Sequence, residues 1–145
     1  MLSLGAVFAI FSGFYYWMPK ITGLTYNETW AQVHFWLLFI GANVTFLPMH
    51  WLGLSGMPRR IPDYPTAFAA WNLICSYGAY VSVVSLAVFF AVIAEAFISA
   101  RQSAANPWRS STQSQSSYTL EWLLSSPMEF HSHAELPAIR EGKSI

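Results

Sequence analysis

Long runs without an ionised side chain dominate the pattern of apolar and polar positions. Three such runs cover residues 1–19, 29–58 and 64–94. A helix needs about 20 mostly apolar residues to cross the hydrocarbon core of a bilayer. The pattern therefore predicts an all-α membrane protein with three transmembrane helices. Their expected bounds are about residues 2–17, 29–47 and 66–100.

Proline and glycine mark where these helices are expected to end. Pro19 and Gly23 should end the first helix, and residues 22–28 should form a polar turn. Glu28 lies beside the start of the second helix, where a negative charge suits the helix dipole. Pro48 should kink or end the second helix, because it removes a backbone hydrogen bond. The third helix is longer than a bilayer requires, so it should tilt or project beyond the lipid.

The chain changes character beyond the third run. The stretch "RQSAANPWRSSTQSQSS" is rich in Ser, Gln and Asn, which is typical of a polar connector. The stretch "TLEWLLSSP" is apolar again but too short to span, so we expect it to dock on protein or on the membrane surface. The sequence thus divides into a transmembrane region at 1–100, with a connecting loop at 52–65, and a polar connector with an irregular C-terminal tail at 101–145.

Composition supports a membrane protein and argues against some functions. Charged residues make up 10% of the chain, against about 25% in soluble proteins. The formal net charge is zero, so nothing draws the chain to nucleic acid. The single cysteine, Cys75, cannot form an internal disulfide and is expected to be a buried, inert thiol. Residues 1–17 lack the basic start and the cleavage site of a signal peptide, which favours an uncleaved helix.

Several polar side chains lie within or close to the apolar runs: His34, Asn43, Thr45, His50, Asn72 and Ser76. Such groups in membrane helices usually face other helices, cavities or cofactors. Three helices offer little interior to receive them. We therefore expect partner polypeptides in addition to membrane lipid.

The connector "WLGLSGMPRRIPDYP" places Arg59 and Arg60 between two prolines. The planar guanidinium fork of arginine donates paired hydrogen bonds to carboxylates, so this loop could clamp two of them. The alternative is that the two arginines contact lipid headgroups or are simply solvated.

The positive charges that flank the spans give a weak indication of topology. Lys20, Arg101 and Arg109 lie on one side of the membrane, against Arg59 and Arg60 on the other. This balance weakly places the C-terminal tail in the compartment that retains positive loops.

The four histidines do not form a metal-binding pattern. His34 and His50 are 16 residues apart, about 24 Å along one regular helix, and cannot share a metal ion. His131 and His133 form a short H-x-H in the tail, which is a weak metal signal and more typical of surface chemistry. The spacing of the histidines therefore gives no strong metal-binding signal.

Five stretches resemble subunit 1 of mitochondrial cytochrome c oxidase, of the haem-copper oxidase family. "HWLGLSGMPRRIPDYP" resembles the connector between its last two helices. "LSLGAVFAIFSGFYYW" is similar to part of its tenth helix, "TWAQVHFWLLFIGANVTFLPMHWLGLSGMPRR" to its eleventh helix and following loop, and "DYPTAFAAWNLICSYGAYVS" to the start of its twelfth. "TLEWLLSSPMEFHSHAELP" is similar to its C-terminal tail. The resemblance implies the last three of twelve transmembrane helices.

The resemblance also implies roles for particular residues. Arg59 and Arg60 match positions that contact the propionates of the two haems, haem a and haem a3. Pro62 and Asp63 match a calcium or sodium site, although Asp63 could equally pair with Arg60 or cap a turn. Further positions match the haem-packing surface, with ordinary helix packing as the alternative: Leu2, Ser3, Phe46 and Met49. Met49 replaces the glutamine of some family members.

The metal ligands of the family fall outside this sequence. The His-Phe-His segment that supplies an axial ligand to each haem precedes the position of Met1, and the copper ligands lie further upstream. His34 matches a position in one proposed proton path, against the alternative of a helix-packing imidazole. The resemblance therefore implies a chain that completes the haem pocket but cannot catalyse alone.

Taken together, the resemblance predicts the C-terminal fragment of a split subunit 1 in the mitochondrial inner membrane. Its expected partners are an N-terminal fragment of subunit 1, subunits 2 and 3, lipid and, through the complex, cytochrome c. The assembled enzyme would oxidise cytochrome c, reduce oxygen to water and pump protons. The arginine loop would face the intermembrane space and the tail the matrix. The alternatives are a structural or assembly subunit without haem contact, or a non-functional truncated copy.

Overall fold

The computed structural model describes residues 2–108, 119–122 and 124–127 of the chain. A π-helical stretch, Leu2–Val7, leads directly into helix α1, Phe8–Thr22. Helix α2 is Glu28–Leu54. A 3-10 turn, Thr66–Phe68, precedes helix α3, Ala69–Ser99, and another lies at Leu120–Trp122. The described part of the chain is therefore mostly helical, as the sequence predicts.

Two of these helices are long and apolar enough to cross a membrane. They are Glu28–Leu54, with 27 residues, and Thr66–Ser99, with 34. Many large apolar side chains on α3 point away from the rest of the protein; Val83 is 65% exposed and Ile98 83%. Surface of this kind requires lipid or other protein to cover it. The third predicted span, along α1, stays a prediction.

Neither proline ends its helix. The prediction that α1 ends at Pro19 was wrong, and so was an end of α2 at Pro48, whereas the alternative of a kink at Pro48 stays a prediction. Helix α1 continues through Pro19 to Thr22, and α2 continues through Pro48 to Leu54. Both proline rings are buried, so packing offsets the single backbone hydrogen bond that each proline removes. The true end of α1 is Gly23, whose φ of 71° suits glycine and whose N–H donates to the Pro19 carbonyl at 2.9 Å.

Helices α2 and α3 pack with their backbones close together. A Cβ atom on Gly41 would lie 2.5 Å from the Ser82 hydroxyl oxygen, and one on Gly78 would lie 2.5 Å from the Thr45 backbone nitrogen. Neither position has room for a methyl group. Small residues four apart on both helices create this contact, which is a common way for membrane helices to associate.

Helix α1 packs against the other two helices through aromatic rings. Phe8 meets Phe35 with ring centroids 6.2 Å apart, and Phe11 meets His34 and Phe89, each at 4.8 Å. The same ring pairs show that α1 and α2 run antiparallel, since residues later in α1 contact residues earlier in α2.

The ends of α1 and α3 are joined on the tail side. Leu24 forms an isolated antiparallel bridge with Gln102. The Thr25 N–H donates to the Arg101 carbonyl at 2.8 Å, and the Ser103 N–H donates to the Gly23 carbonyl at 2.8 Å. Gly23 therefore ends α1, and its carbonyl also accepts a hydrogen bond from the segment that follows α3.

Candidate functional site

The loop that carries the arginines is anchored at the end of α2. The Met57 N–H donates to the Leu52 carbonyl at 3.0 Å, and the Asn72 amide of α3 donates to the Met57 sulfur at 3.6 Å. Beside this anchor, Trp51 and Trp71 pack edge to face with centroids 5.0 Å apart. The loop is thus tied to both membrane helices at its base.

The two arginines are exposed on this loop. Arg60 has a φ of 60°, a left-handed conformation that costs a residue with a side chain some backbone energy. Within residues 2–108, 119–122 and 124–127, the one ion pair joins Glu95 and Arg101. No carboxylate of that part of the chain neutralises Arg59 or Arg60.

Asp63 makes a local contact in the loop. Its Oδ1 accepts a hydrogen bond from the Tyr64 N–H at 2.8 Å. Of the two local roles predicted for Asp63, an ion pair with Arg60 does not form within the described residues, and the role as a turn cap stays a prediction. Pro62 is exposed beside it. The described residues contain no group of three or more His, Cys, Asp or Glu that could hold a metal ion, so the calcium or sodium site stays a prediction.

The residues predicted to pack against haem lie at the start of the helical chain and in the second half of α2. Leu2 is 77% exposed at the start of the helical chain, and Met49 is 46% exposed on α2, one turn beyond the half-buried Phe46. The side chain of Ser3 lies outside the part of the chain that the structure describes. Leu2 and Met49 therefore offer apolar surface, but their role against haem stays a prediction.

His34 occupies the buried centre of the contact between α1 and the other helices. It is 1% exposed, and its Nδ1 is hydrogen-bonded to the Tyr15 hydroxyl at 3.0 Å. The Phe89 ring lies 5.2 Å from the imidazole. This environment is that of a helix-packing imidazole. Nothing in the spacing of Tyr15 and His34 along the chain indicates that the two residues pair.

A cavity of about 330 Å³ lies beside this pair. It is lined mainly by Phe8, Phe11, Phe35 and Leu38, with Ser12 as a further polar group. The apolar lining and the small number of polar groups give the cavity no evident catalytic chemistry.

The other polar side chains singled out in the apolar runs each form a hydrogen bond within their own helix. Each bonds to the backbone carbonyl four residues earlier: Asn43 to Phe39, Thr45 to Gly41, His50 to Phe46, Asn72 to Phe68 and Ser76 to Asn72. Back-bonding gives each of these groups one hydrogen-bond partner within its own helix. The expectation of partner polypeptides stays a prediction. His131 and His133 lie outside the described residues.

The turn between α1 and α2 holds a second aromatic pair, which is half-buried. Tyr26 packs against Tyr15 with ring centroids 5.0 Å apart. Burial raises the pKa of Tyr26, and the nearby Glu28 carboxylate raises it further. The Asn27 side chain accepts a hydrogen bond from the Thr29 N–H at 3.0 Å and so caps α2.

Known proteins match this chain across the helices and the arginine loop. The family model of cytochrome c and quinol oxidase polypeptide I matches residues 1–81. Cytochrome c oxidase subunit 1 of Eremothecium gossypii is 55% identical over 93 residues, which cover 64% of this chain and 17% of that protein. Cytochrome c oxidase subunit 1 of Yarrowia lipolytica is 47% identical over 142 residues, which cover 90% of this chain and 26% of that protein.

The chain thus spans between about a sixth and a quarter of the length of these relatives. The family match includes α1, α2, the arginine loop and the beginning of α3. More than half of the chain is matched. The chain therefore belongs to the cytochrome c and quinol oxidase polypeptide I family.

Proposed function

We propose that this chain forms the C-terminal part of subunit 1 in a cytochrome c oxidase, where its arginine loop binds the propionates of haem a and haem a3. The observation that carries this proposal is the exposed pair Arg59 and Arg60, which no carboxylate of the described chain neutralises. The family membership of the loop supports the same assignment.

The chemistry of the arginine pair suits two propionates. A carboxylate in a low-dielectric site is costly unless a cation pairs with it and satisfies its oxygens. Each guanidinium group can donate two parallel hydrogen bonds to one carboxylate. Two adjacent cations also repel each other, and two bound anions would relieve this repulsion. Arg59 and Arg60 therefore suit the propionate edge of a haem in both charge and hydrogen-bond donors.

The remaining contacts proposed for the haems are packing contacts. Leu2, Phe46 and Met49 would contact the macrocycles or their side chains, and Ser3 would approach the hydroxyl of a haem a side chain. The haems, when bound, would supply the electron transfer and the oxygen chemistry. We assign the axial ligands and the copper ligands to the remainder of subunit 1, because the resemblance places the His-Phe-His segment and the copper ligands ahead of the position of Met1.

A calcium or sodium ion is the second proposed ligand of the loop. Hard cations take oxygen ligands. The Pro62 carbonyl and the Asp63 carboxylate would contribute some of these, since one carboxylate oxygen of Asp63 is engaged by Tyr64 and the other is available. The rest of the site would come from the remainder of subunit 1.

The proposed setting is the mitochondrial inner membrane. The arginine loop would face the intermembrane space and the tail the matrix. The remainder of subunit 1 would be a separate N-terminal fragment, with subunits 2 and 3 beside it and cytochrome c as electron donor. The enzyme would reduce oxygen to water and pump protons. The alternative is a structural or assembly subunit without haem contact.

Purification from mild-detergent mitochondrial membranes tests the assignment. We expect this chain to co-purify with a reduced-minus-oxidised spectrum of a-type haem, and mass spectrometry to identify a shortened subunit 1 that ends near its His-Phe-His segment. Recovery together with a full-length subunit 1 would support the accessory alternative instead. Absence of a-type haem would refute both roles in a working oxidase.

Variants of the loop test the propionate contact. Replacing both arginines, Arg59→Leu with Arg60→Leu, should make haem dissociate in detergent at least about tenfold more readily, because an unpaired buried carboxylate costs about 3–5 kcal/mol. Arg101→Leu is the matched control, since Arg101 is also exposed and pairs with Glu95. Equal haem retention in both variants would exclude the contact.

A further inference from the structure

The most buried charge in the described chain is the ammonium group of Lys20, in the last turn of α1. Lys20 is only 5% exposed. Its Nζ donates to the Leu124 carbonyl at 2.6 Å, to the carbonyls of Ala105 and Ser125 at 3.2 Å each, and to the Ser126 hydroxyl at 3.1 Å. Four oxygens from two distant parts of the chain thus surround one nitrogen.

None of these four oxygens carries a formal charge. The Glu121 carboxylate of the same segment is near enough to favour the charged ammonium group, but no ion pair joins it to Lys20 within the described residues. Where no anion contacts a buried cation, neighbouring dipoles have to compensate for most of the hydration that the cation loses. An ammonium group has three protons, so four acceptors are more than it can engage singly. The oxygen cage is therefore built around a cation and not around a specific ion pair.

Aromatic rings close the cage on its other side. The Lys20 Nζ lies 5.6 Å from the centre of the Trp122 ring, within the range of a cation–π contact. Trp122 is itself 3% exposed and packs edge to face on Tyr16 at 5.0 Å. Trp108 stacks on the same Tyr16 ring at 5.5 Å. Trp108 and Trp122, which lie on either side of residues 109–118 in the sequence, thus both contact the end of α1.

Gly23 permits the close approach of the C-terminal segment. A Cβ atom at Gly23 would lie 2.5 Å from the Pro127 Cδ and 2.9 Å from its nitrogen. The segment around Ser126 therefore rests directly on the turn that ends α1. The cage and this contact lie next to each other, which fixes the segment at two points.

We propose that Ala105, Trp122 and residues 124–126 form a receptor site for an ammonium ion, and that Lys20 supplies this ion from within the chain. Through this contact, residues 124–126 are held against the C-terminal end of α1. The site is independent of the haem contacts and takes a compact cation with several diverging donors. A lysine ammonium has this geometry, whereas the planar guanidinium fork of arginine does not.

Removal of the lysine side chain tests the site in the membrane-extracted complex. Trp122 is buried by the contact, so chymotrypsin should cleave after it slowly in the wild type. In Lys20→Ala this cleavage should be about tenfold faster or more, because cleavage follows the population of the open segment. Arg101→Ala, a control at the same end of α3, should cleave like the wild type.

Chemical rescue identifies the ligand class. Methylammonium chloride should slow cleavage of Lys20→Ala towards the wild-type rate, and sodium chloride at the same concentration should not. Lys20→Arg should cleave faster than the wild type despite its positive charge. Cleavage that both salts leave unchanged, or full protection by arginine, would overturn the receptor site.

A measurement on the unaltered protein tests the same proposal without depending on whether a variant folds. Acylation of Lys20 by an amine-reactive ester, quantified by mass spectrometry, should be at least about tenfold slower in the native complex than after denaturation in detergent, because local opening limits access. Equal rates in the two states would show that the ammonium group is not held and would refute the proposal.

Discussion

Helix α1 and helix α3 meet α2 in two different ways. Between α2 and α3, Gly41 and Gly78 bring the backbones so close that an added Cβ would lie 2.5 Å from its neighbours. Between α1 and the other two helices, aromatic rings with centroids 4.8–6.2 Å apart fill the space. One interface depends on the absence of side chains and the other on their bulk.

The difference follows from how membrane helices associate. Lipid tails are as apolar as leucine, so helices gain little by hiding apolar side chains from lipid, and close packing has to hold them together. Backbone contact between glycines gives many close atom pairs but tolerates no added atom. Ring packing involves fewer rigid constraints, since a side chain can shift. We therefore expect the α2–α3 pair to be the stable unit and α1 to be the part that separates first.

The largest effect is expected from Gly78→Ala. Its methyl group would collide with the Thr45 backbone nitrogen and the Val44 carbonyl carbon, and overpacking against backbone should destabilise the α2–α3 pair by about 3 kcal/mol. The buried thiol of Cys75, the single cysteine and one turn away on α3, is a natural reporter. Maleimide should modify it much faster in the variant than in the wild type.

Gly53→Ala is the matched control for this variant. No atom lies within 4 Å of a Cβ added at Gly53, which is also inside α2. Alanine there should leave the Cys75 reaction unchanged, and its better helix propensity of about 1 kcal/mol should make it neutral or stabilising. Equal Cys75 reactivity in the two variants would contradict the view that glycine packing holds these helices together.

A smaller effect is expected from Phe89→Ala in the aromatic interface. Phe89 contacts Phe11, Phe14 and Tyr15 of α1, with ring centroids 4.8, 5.1 and 6.0 Å away. Loss of the ring should cost about 2 kcal/mol, less than for a fully buried phenylalanine because the site is half-buried. Hydrogen exchange should rise in α1 but not in α2 or α3. Phe90→Ala, an exposed neighbour, should leave exchange unchanged; uniform loss of protection would show that α1 is not a separate unit.

The sequence predicts the helices far better than their contacts. The apolar runs indicate α2 and α3 because length and hydropathy are local properties. The 3-10 turn and α3 together cover residues 66–99, within a residue of the expected bounds of 66–100. Pro19 and Pro48 lie inside helices because the burial of their rings outweighs the local tendency of proline to break a helix. The pairing of Gly41 with Gly78 and the cage around Lys20 join residues far apart in the chain. Spacing within one helix carries no information about such register.

The same limit applies to the candidate site. The pair Arg59–Arg60 is recognisable in the sequence because two adjacent arginines between apolar runs are unusual. Its exposure, and the lack of a neutralising carboxylate within the described residues, become visible only in the structure. Tyr15 was not recognised as a partner of His34, because the two residues lie on different helices.

The smallest effect, and the most informative about the aromatic interface, is expected from Tyr15→Phe. The ring remains, but the His34 Nδ1 loses the hydroxyl with which it bonds at 3.0 Å, and an unsatisfied buried polar atom should cost about 1–2 kcal/mol. A double-mutant cycle with His34→Phe measures the pair itself. If stability in detergent shows a coupling of about 1 kcal/mol, a specific hydrogen bond orients α1 on α2. If the two changes are additive, ring packing alone positions α1, and the two interfaces differ even more than the structure indicates.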